Sequence, residues 1–321
     1  MQYCLSRGTW STYKTAWKQF TMFVRAQGYV FDLPVPLPIL CRFVIYLYKH
    51  KQLVHGTIKN YVSGIKFIHG MANVSTEVFK SFWFIKLMTA IRNLCWAQLK
   101  ELPPKRCAFS YPALKVFGHE LYKNRSMHPW LKLNIWTAAL LAFYASLRLG
   151  DFLPNSHGID QIRVISWDRL RIVDEDQISF LILLPKNTTK NQGVVRDIVR
   201  TKDPRFCPVH NILKLYEAAR QDPDFSETGP IFTKPKGGYL HTYDINKAIE
   251  ITMEPLFGKV FSGHSFRSAL PSEASESPAD FSNEVVMSLG DWHNLEVVEL
   301  YKRRKGVGVK STMQKLEKLR S

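Results

Sequence analysis

Acidic residues are scarce in this 321-residue chain: 27 Asp and Glu stand against 44 Lys and Arg, a formal net charge of +17. So basic a chain points to a polyanion as partner, and nucleic acid is the default candidate. Cysteine is scarce as well. The five, Cys4, Cys41, Cys95, Cys107 and Cys207, are odd in number and no two lie close together. That argues against a disulfide framework and a CxxC metal site and fits a reducing compartment. Long hydrophobic runs are missing. The best, Ala138 to Leu147, is interrupted by Tyr144 and Ser146, too short to span a bilayer, and reads as a buried helix. No signal-peptide pattern opens the chain, and no internal repeat or long low-complexity tract interrupts it. What is present is apolar bulk. A hydrophobic fraction of 45% and an aromatic fraction of 13% suffice for packed cores, and the length suggests two domains.

From Ser11, a plausible N-cap, apolar residues recur at Tyr13, Trp17, Phe20 and Val24, the stripe of an amphipathic helix that Gly28 would stop. Its outer face carries Lys14, Lys18 and Arg25. A second helix is expected from Leu37 to Lys51. After a break at His55-Gly56 a third begins near Thr57, with Ile58, Tyr61, Ile65 and Ile68 inside and Lys59 and Lys66 outside. A fourth is expected to start at Ser75 to Glu77, with Phe79, Phe82, Trp83, Leu87, Ile91 and Leu94 along it. No strand-like alternation intervenes, so residues 1–100 read as a small helical domain. Glu101 to Arg106, ELPPKR, marks the boundary, within a linker over residues 101–108. Its Lys105 and Arg106 are candidates to lie along a phosphate backbone, though a plain connector explains them equally.

The second domain, residues 109–321, opens with an expected helix from Tyr111 to Lys123. Leu133, Trp136, Leu140, Phe143 and Leu147 then form a buried stripe, and Arg148 follows directly in SLRLGDFL. An unpaired buried charge is costly, so Arg148 is either held for a purpose, with Asp151 to orient it, or a surface cap on a helix C-terminus. Leu170 to Val173, Ile178 to Leu184 and Val194 to Val199 read as a small antiparallel sheet, its last turn carrying Lys186 and Lys190. Cys207 to Val209 opens a helix, Cys207 reading as core. Asp222 to Gly238 is loop, and another helix runs from Tyr243 to Met253. The chain is thus mainly α, a helical domain followed by an α+β domain.

The densest chemistry lies between Gly263 and Arg304. His264 and Arg267 are spaced to share a helix face. Trp292 follows, then Tyr301 beside Lys302, Arg303 and Arg304. Cutting a phosphodiester without a metal needs such a set. Two arginines clamp the non-bridging oxygens through planar forks that lysine cannot match. A histidine adds a hydrogen bond, a lysine protonates the departing 5′ oxygen, and a tyrosine attacks in line. No carboxylate cluster suited to two magnesium ions stands out, which disfavours a two-metal nuclease.

In order and rough spacing these residues resemble the tyrosine recombinases, the phage-integrase family, over nearly the whole chain. SLRLGDFL is similar to the first arginine motif, with Asp151 where a glutamate is usual. GHSFRSAL resembles the HxxR box and LGDWHNLEVVELYKR the Gly-x-Trp…Tyr ending. The wording of Cys207-Pro208-Val209 and HSFRSALPS looks most like the Crypton and DIRS-type recombinases of eukaryotic mobile elements. The resemblance implies a helical core-binding domain, then a catalytic domain in which Arg148 and Arg267 clamp the scissile phosphate. His264 would hydrogen-bond it and Trp292 would donate through its indole N–H, with His293 an alternative. Tyr301 would form a 3′-phosphotyrosine link. It places the general acid at the hairpin, Lys190 or alternatively Lys186. It implies no metal or other cofactor, double-stranded DNA as partner, and a homodimer or tetramer on that DNA. A nuclear location goes with it, and Lys302 to Lys305 read as phosphate contacts, as a localisation patch or simply as solvated charge. Met313, Leu316 and Leu319 are expected on a short C-terminal helix. Pro271 to Asp280 fits the family least and reads as a loop inserted before the helix of Val285 to Leu289. Two other readings stand beside the recombinase: a domesticated DNA-binding protein that keeps the fold without the activity, and a type IB topoisomerase, whose eukaryotic forms are usually larger.

Overall fold

The computed structural model describes residues 5, 7–98, 107–154, 164–183, 193–276, 281–290 and 295. The chain divides into two compact units, Met1–Pro103 and Pro104–Ser321.

The first unit is helical. α1 spans Arg7–Ala26, α2 Leu37–Lys49, α3 His55–Met71 and α4 Phe82–Ala97. Ser11 is not the cap of α1: it lies inside the helix, its carbonyl accepting the Thr15 hydroxyl at 2.9 Å. An apolar stripe cannot reveal a first turn that is mostly polar. His55-Gly56 likewise does not break α3 but begins it, with the Val54 carbonyl accepting the Thr57 and Ile58 N–H groups. Glu77 starts only a short 3-10 turn, and α4 begins after Ser81, whose hydroxyl accepts the Phe84 N–H at 3.3 Å. That later start changes which residues face inward. Phe84 and Ile91 are buried, with Met88 and Cys95 packed beside them, while Phe82, Trp83 and Leu94 are exposed, contrary to the expected stripe.

Aromatic residues fill this core, Phe20 meeting Phe43 at a ring-centroid distance of 5.1 Å. α1 and α3 approach so closely at Gly64 that a Cβ there would lie 3.0 Å from the Ala16 Cβ and 3.1 Å from the Tyr13 Cα. Buried His69 ties the unit together. Its Nε2 accepts the Val35 N–H at 2.9 Å, and Nδ1 meets the Ile65 carbonyl at 2.9 Å. Lys14 and Lys18 on α1, and Lys59 and Lys66 on α3, are all exposed.

In the second unit α5 spans Tyr111–Lys123, α6 Pro129–Tyr144, α7 Pro208–Arg220, α8 Thr242–Phe257, α9 His264–Arg267, α10 Ala269–Glu276 and α11 Asn283–Gly290. β1 (Leu170–Ile172), β2 (Gln177–Ile182) and β3 (Val194–Val199) form one antiparallel sheet in the order β1-β2-β3, with Phe180 opposite both Leu170 and Arg196. Fold class and sheet therefore agree with the sequence reading. α6 is the central element, buried around nearly its whole circumference. Cys207 is core, its Sγ accepting the His210 N–H at 3.4 Å at the start of α7.

A further expectation is overturned. Residues 269–276 form α10 rather than an inserted loop. Pro271 sits in the first turn, where a missing N–H loses no helical hydrogen bond. Glu273 of α10 accepts the Tyr111 N–H, tying this helix to the start of α5. Residues 277–280 of the same stretch lie outside the described residues. No helix among the described residues is long and apolar enough to cross a membrane.

Candidate active site

The end of α6 fixes where Arg148 emerges. Ser146 takes a left-handed φ of 49°. Its N–H donates to the Phe143 carbonyl at 3.3 Å, and the Leu147 N–H donates to the Ala142 carbonyl at 3.0 Å. This pair of bonds closes the helix and turns the chain away from its axis. Leu147 then drops into the core and Arg148 follows half-buried. Asp151, itself buried, accepts the Arg148 N–H on Oδ2 at 3.1 Å and returns its own N–H to the Arg148 carbonyl at 2.8 Å. It orients Arg148 through the main chain. The backbone C-cap of α6 is Ala145.

The HxxR segment reaches the same place from α8. Asn246 of α8 accepts the Gly263 N–H at 2.9 Å. A Cβ on Gly263 would lie 2.3 Å from the Leu149 Cδ1, so a larger residue there would have to displace that buried side chain. Ser265 locks the turn, accepting the Ser262 N–H on its hydroxyl at 3.0 Å and donating its own N–H to the Ser262 carbonyl at 2.8 Å. Phe266 is fully buried and stacks on Phe109 at 4.3 Å with 5° between ring planes, while Phe109 stacks on Phe261 as well.

Anchored in this way, Arg267 is 3% exposed, and its Nη1 donates to the Ser146 carbonyl at 2.6 Å. A buried guanidinium needs acceptors, and the C-terminal end of a helix, with its partial negative charge, is a favourable place for one. His264, by contrast, is exposed. The two were expected on one face. At 3.6 residues per turn they differ by about 60°, and the surface of the unit falls between them.

The structure thus brings Arg267 to the turn that launches Arg148, with exposed His264 on the same short helix. Lys186, Lys190, Trp292, His293, Tyr301 and Lys302 to Lys305 lie outside the described residues. So do Lys105 and Arg106, and Met313, Leu316 and Leu319. Sequence reasoning missed Ser146, Asn246 and Gly263 as parts of this wall. The only signal for Ser146 was a small polar residue between an apolar helix and an arginine. At Tyr144, two residues before it, burial chiefly, then the neighbouring Tyr111, pushes the hydroxyl up to about 12. Among the described residues no group of His, Cys, Asp and Glu is placed to hold a metal ion.

Solved structures share this architecture. A DNA-bound XerH site-specific recombinase, in a post-cleavage complex with palindromic difH, aligns with a TM-score of 0.59 at 12% identity, over 94% of this chain and 78% of that one. Its pre-cleavage complex aligns with a TM-score of 0.56 at 14% identity, over 91% and 74%. A lambda integrase dimer bound to a COC′ core site gives 0.54 at 12% identity, over 94% and 73%. The fold is that of the tyrosine recombinases. No protein-family model matches the chain, and no curated protein matches it either.

Proposed function

We propose that this chain is a site-specific DNA recombinase, the integrase or transposase of a eukaryotic mobile element of the Crypton or DIRS type, acting in the nucleus. It cleaves and rejoins double-stranded DNA. The Tyr301 oxygen attacks the scissile phosphorus, a 3′-phosphotyrosine forms, and the 5′ oxygen leaves with a proton from Lys190. A 5′-hydroxyl of the exchanged strand then attacks the phosphotyrosine and gives its proton to Lys190, while the departing Tyr301 oxygen regains from solvent the proton it released there on attack. The phosphodiester energy stays in the covalent link, so neither ATP nor a metal enters the balance. Arg148 and Arg267 hold the charge that gathers on the non-bridging oxygens, helped by His264 and Trp292. The exposed Lys14, Lys18, Lys59 and Lys66, together with Lys105 and Arg106, grip the duplex. The chain works as a dimer or tetramer on DNA, as lambda integrase does in its dimer bound to a COC′ core site and its tetramer bound to a Holliday junction.

The observation that carries this reading is the contact of Arg267 with the Ser146 carbonyl. It supports a site made from two distant arginine motifs, in a fold shared with recombinases and a chain of net charge +17. One feature favours a second reading, a DNA-binding protein that has lost the chemistry. Arg267 is turned inward onto main chain, where it serves folding whether or not a phosphate arrives. Nicked suicide DNA carrying the element ends separates the two. The wild-type protein is expected to give a protein–DNA band that survives denaturation, and Tyr301→Phe none. An equal band from the variant removes Tyr301 as nucleophile. Tight binding without any adduct favours the second reading.

A further inference from the structure

Helices α1, α3 and α6 end in the same turn. In each, two N–H groups fold back onto the last carbonyls around a residue with positive φ. That residue is Gly28 at φ 67° after α1 and Asn73 at φ 53° after α3. Glycine and asparagine are the residues that accept this conformation most readily. After α6 it is Ser146, a residue with no such preference. Ser146 is also 2% exposed, and its hydroxyl has no hydrogen-bond partner among the described residues. Both features are unfavourable, and both fall at the helix end that receives Arg267. Unfavourable backbone geometry and unpaired buried polar atoms concentrate where position matters more than stability.

What this turn positions is on either side of it. Two residues on, Arg148 leaves in the direction the left-handed backbone dictates. The buried Ser146 carbonyl, left outside the helix ladder by that turn, receives Arg267 at 2.6 Å. We infer that Ser146 is a positioning residue: its backbone conformation and carbonyl oxygen together set where both arginines sit relative to one another. The inference rests on the recombinase reading for its effect on cleavage, while the placement of Arg267 stands without it.

Three side chains at this position separate the alternatives. Ser146→Gly and Ser146→Asn keep the left-handed turn and the carbonyl. Ser146→Val, β-branched, resists it. Two readouts are taken: single-turnover cleavage of suicide DNA beside equilibrium DNA affinity, and ¹⁵N NMR of guanidinium proton exchange, with the Arg267 signal identified by its loss in Arg267→Lys. Ser146→Val is expected to slow cleavage roughly a hundredfold, the effect of a small misplacement of reacting groups, while affinity changes only a few-fold. The slow exchange at Arg267 should disappear with it. Glycine and asparagine should rescue both. Ser146→Val with wild-type cleavage and slow exchange overturns the inference, as does failure of Ser146→Gly to rescue. If the wild type itself never cleaves, the recombinase reading falls and the exchange measurement alone decides the placement. Should Ser146→Val fail to fold by circular dichroism, replacing Leu147 by its α-hydroxy acid weakens the Ser146 carbonyl as an acceptor and removes the Leu147 N–H that closes the turn on Ala142, both without added bulk. Faster exchange at Arg267 then supports the inference, and unchanged exchange overturns it.

Discussion

Arg267 donates from Nη1 to the main-chain oxygen of Ser146 over 2.6 Å, although the two lie 121 positions apart in the chain. The bond closes a buried helix end with a cation, so removing the cation acts on folding as well as on chemistry. Arg267→Ala leaves the Ser146 carbonyl buried without this donor. Urea unfolding should then show a loss of about 1–3 kcal/mol, the desolvation cost of an orphaned polar group. Arg267→Lys restores charge but not the planar fork, so it should recover part of the stability and little of the covalent adduct. If the alanine variant unfolds at the wild-type urea concentration, the contact does not hold the turn.

How far the sequence disclosed this site depends on what each part needs. The bounds of α5 are marked in the sequence by Ser110 and Pro112, a cap and a first-turn proline, and the start of β3 by the glycine before it. The start of α1 at Arg7 was hidden because its first turn carries no apolar stripe. α10 was misread because proline and serine weigh as breakers unless their place in the turn is known. The pairing of distant arginine motifs was legible from their resemblance to a family. The Ser146 carbonyl was not legible at all, since it depends on a backbone φ that serine seldom adopts. The separation of His264 from Arg267 by burial was equally hidden, because spacing alone says nothing about where the surface falls.

Lys190 and Lys186 compete for the role of general acid. A 5′-bridging phosphorothiolate leaves as a thiolate and needs no proton. Lys190→Ala is therefore expected to cleave ordinary DNA at least about a hundredfold more slowly, the usual contribution of proton transfer, and to regain its rate on the sulfur substrate. Lys186→Ala should respond little to the change of leaving group. The opposite pattern assigns the proton to Lys186.

The exposed lysines of the first unit make a prediction about salt. Lys14, Lys18, Lys59 and Lys66 project from α1 and α3 into solvent. If each meets a phosphate, each Lys→Ala change should lower the slope of log affinity against log salt by about 1. The loss should be nearly the same on specific and random DNA, because backbone contacts carry no sequence information. A variant whose slope matches the wild type removes that lysine from the interface.

His55, at the start of α3, offers a reporter that needs no catalysis. Burial first, then the charges of Arg92 and Lys59, hold its imidazole below the ordinary 6.5. The folded protein thus disfavours the protonated ring, and the unfolded chain binds the proton more readily. Stability is fully present above pH 6.5 and falls as the pH drops below it, levelling once the folded ring has also titrated. Arg92→Gln removes one repelling charge, so the ring should titrate at a higher pH by NMR and the acid-side loss of stability should become shallower. A phosphate docked beside Lys59 would act in the same direction. The His55 pKa should then rise in the DNA complex, and affinity for DNA should increase as the pH falls through that range. An imidazole whose titration is unmoved by DNA places the duplex away from this end of α3, whatever the fate of the other lysines.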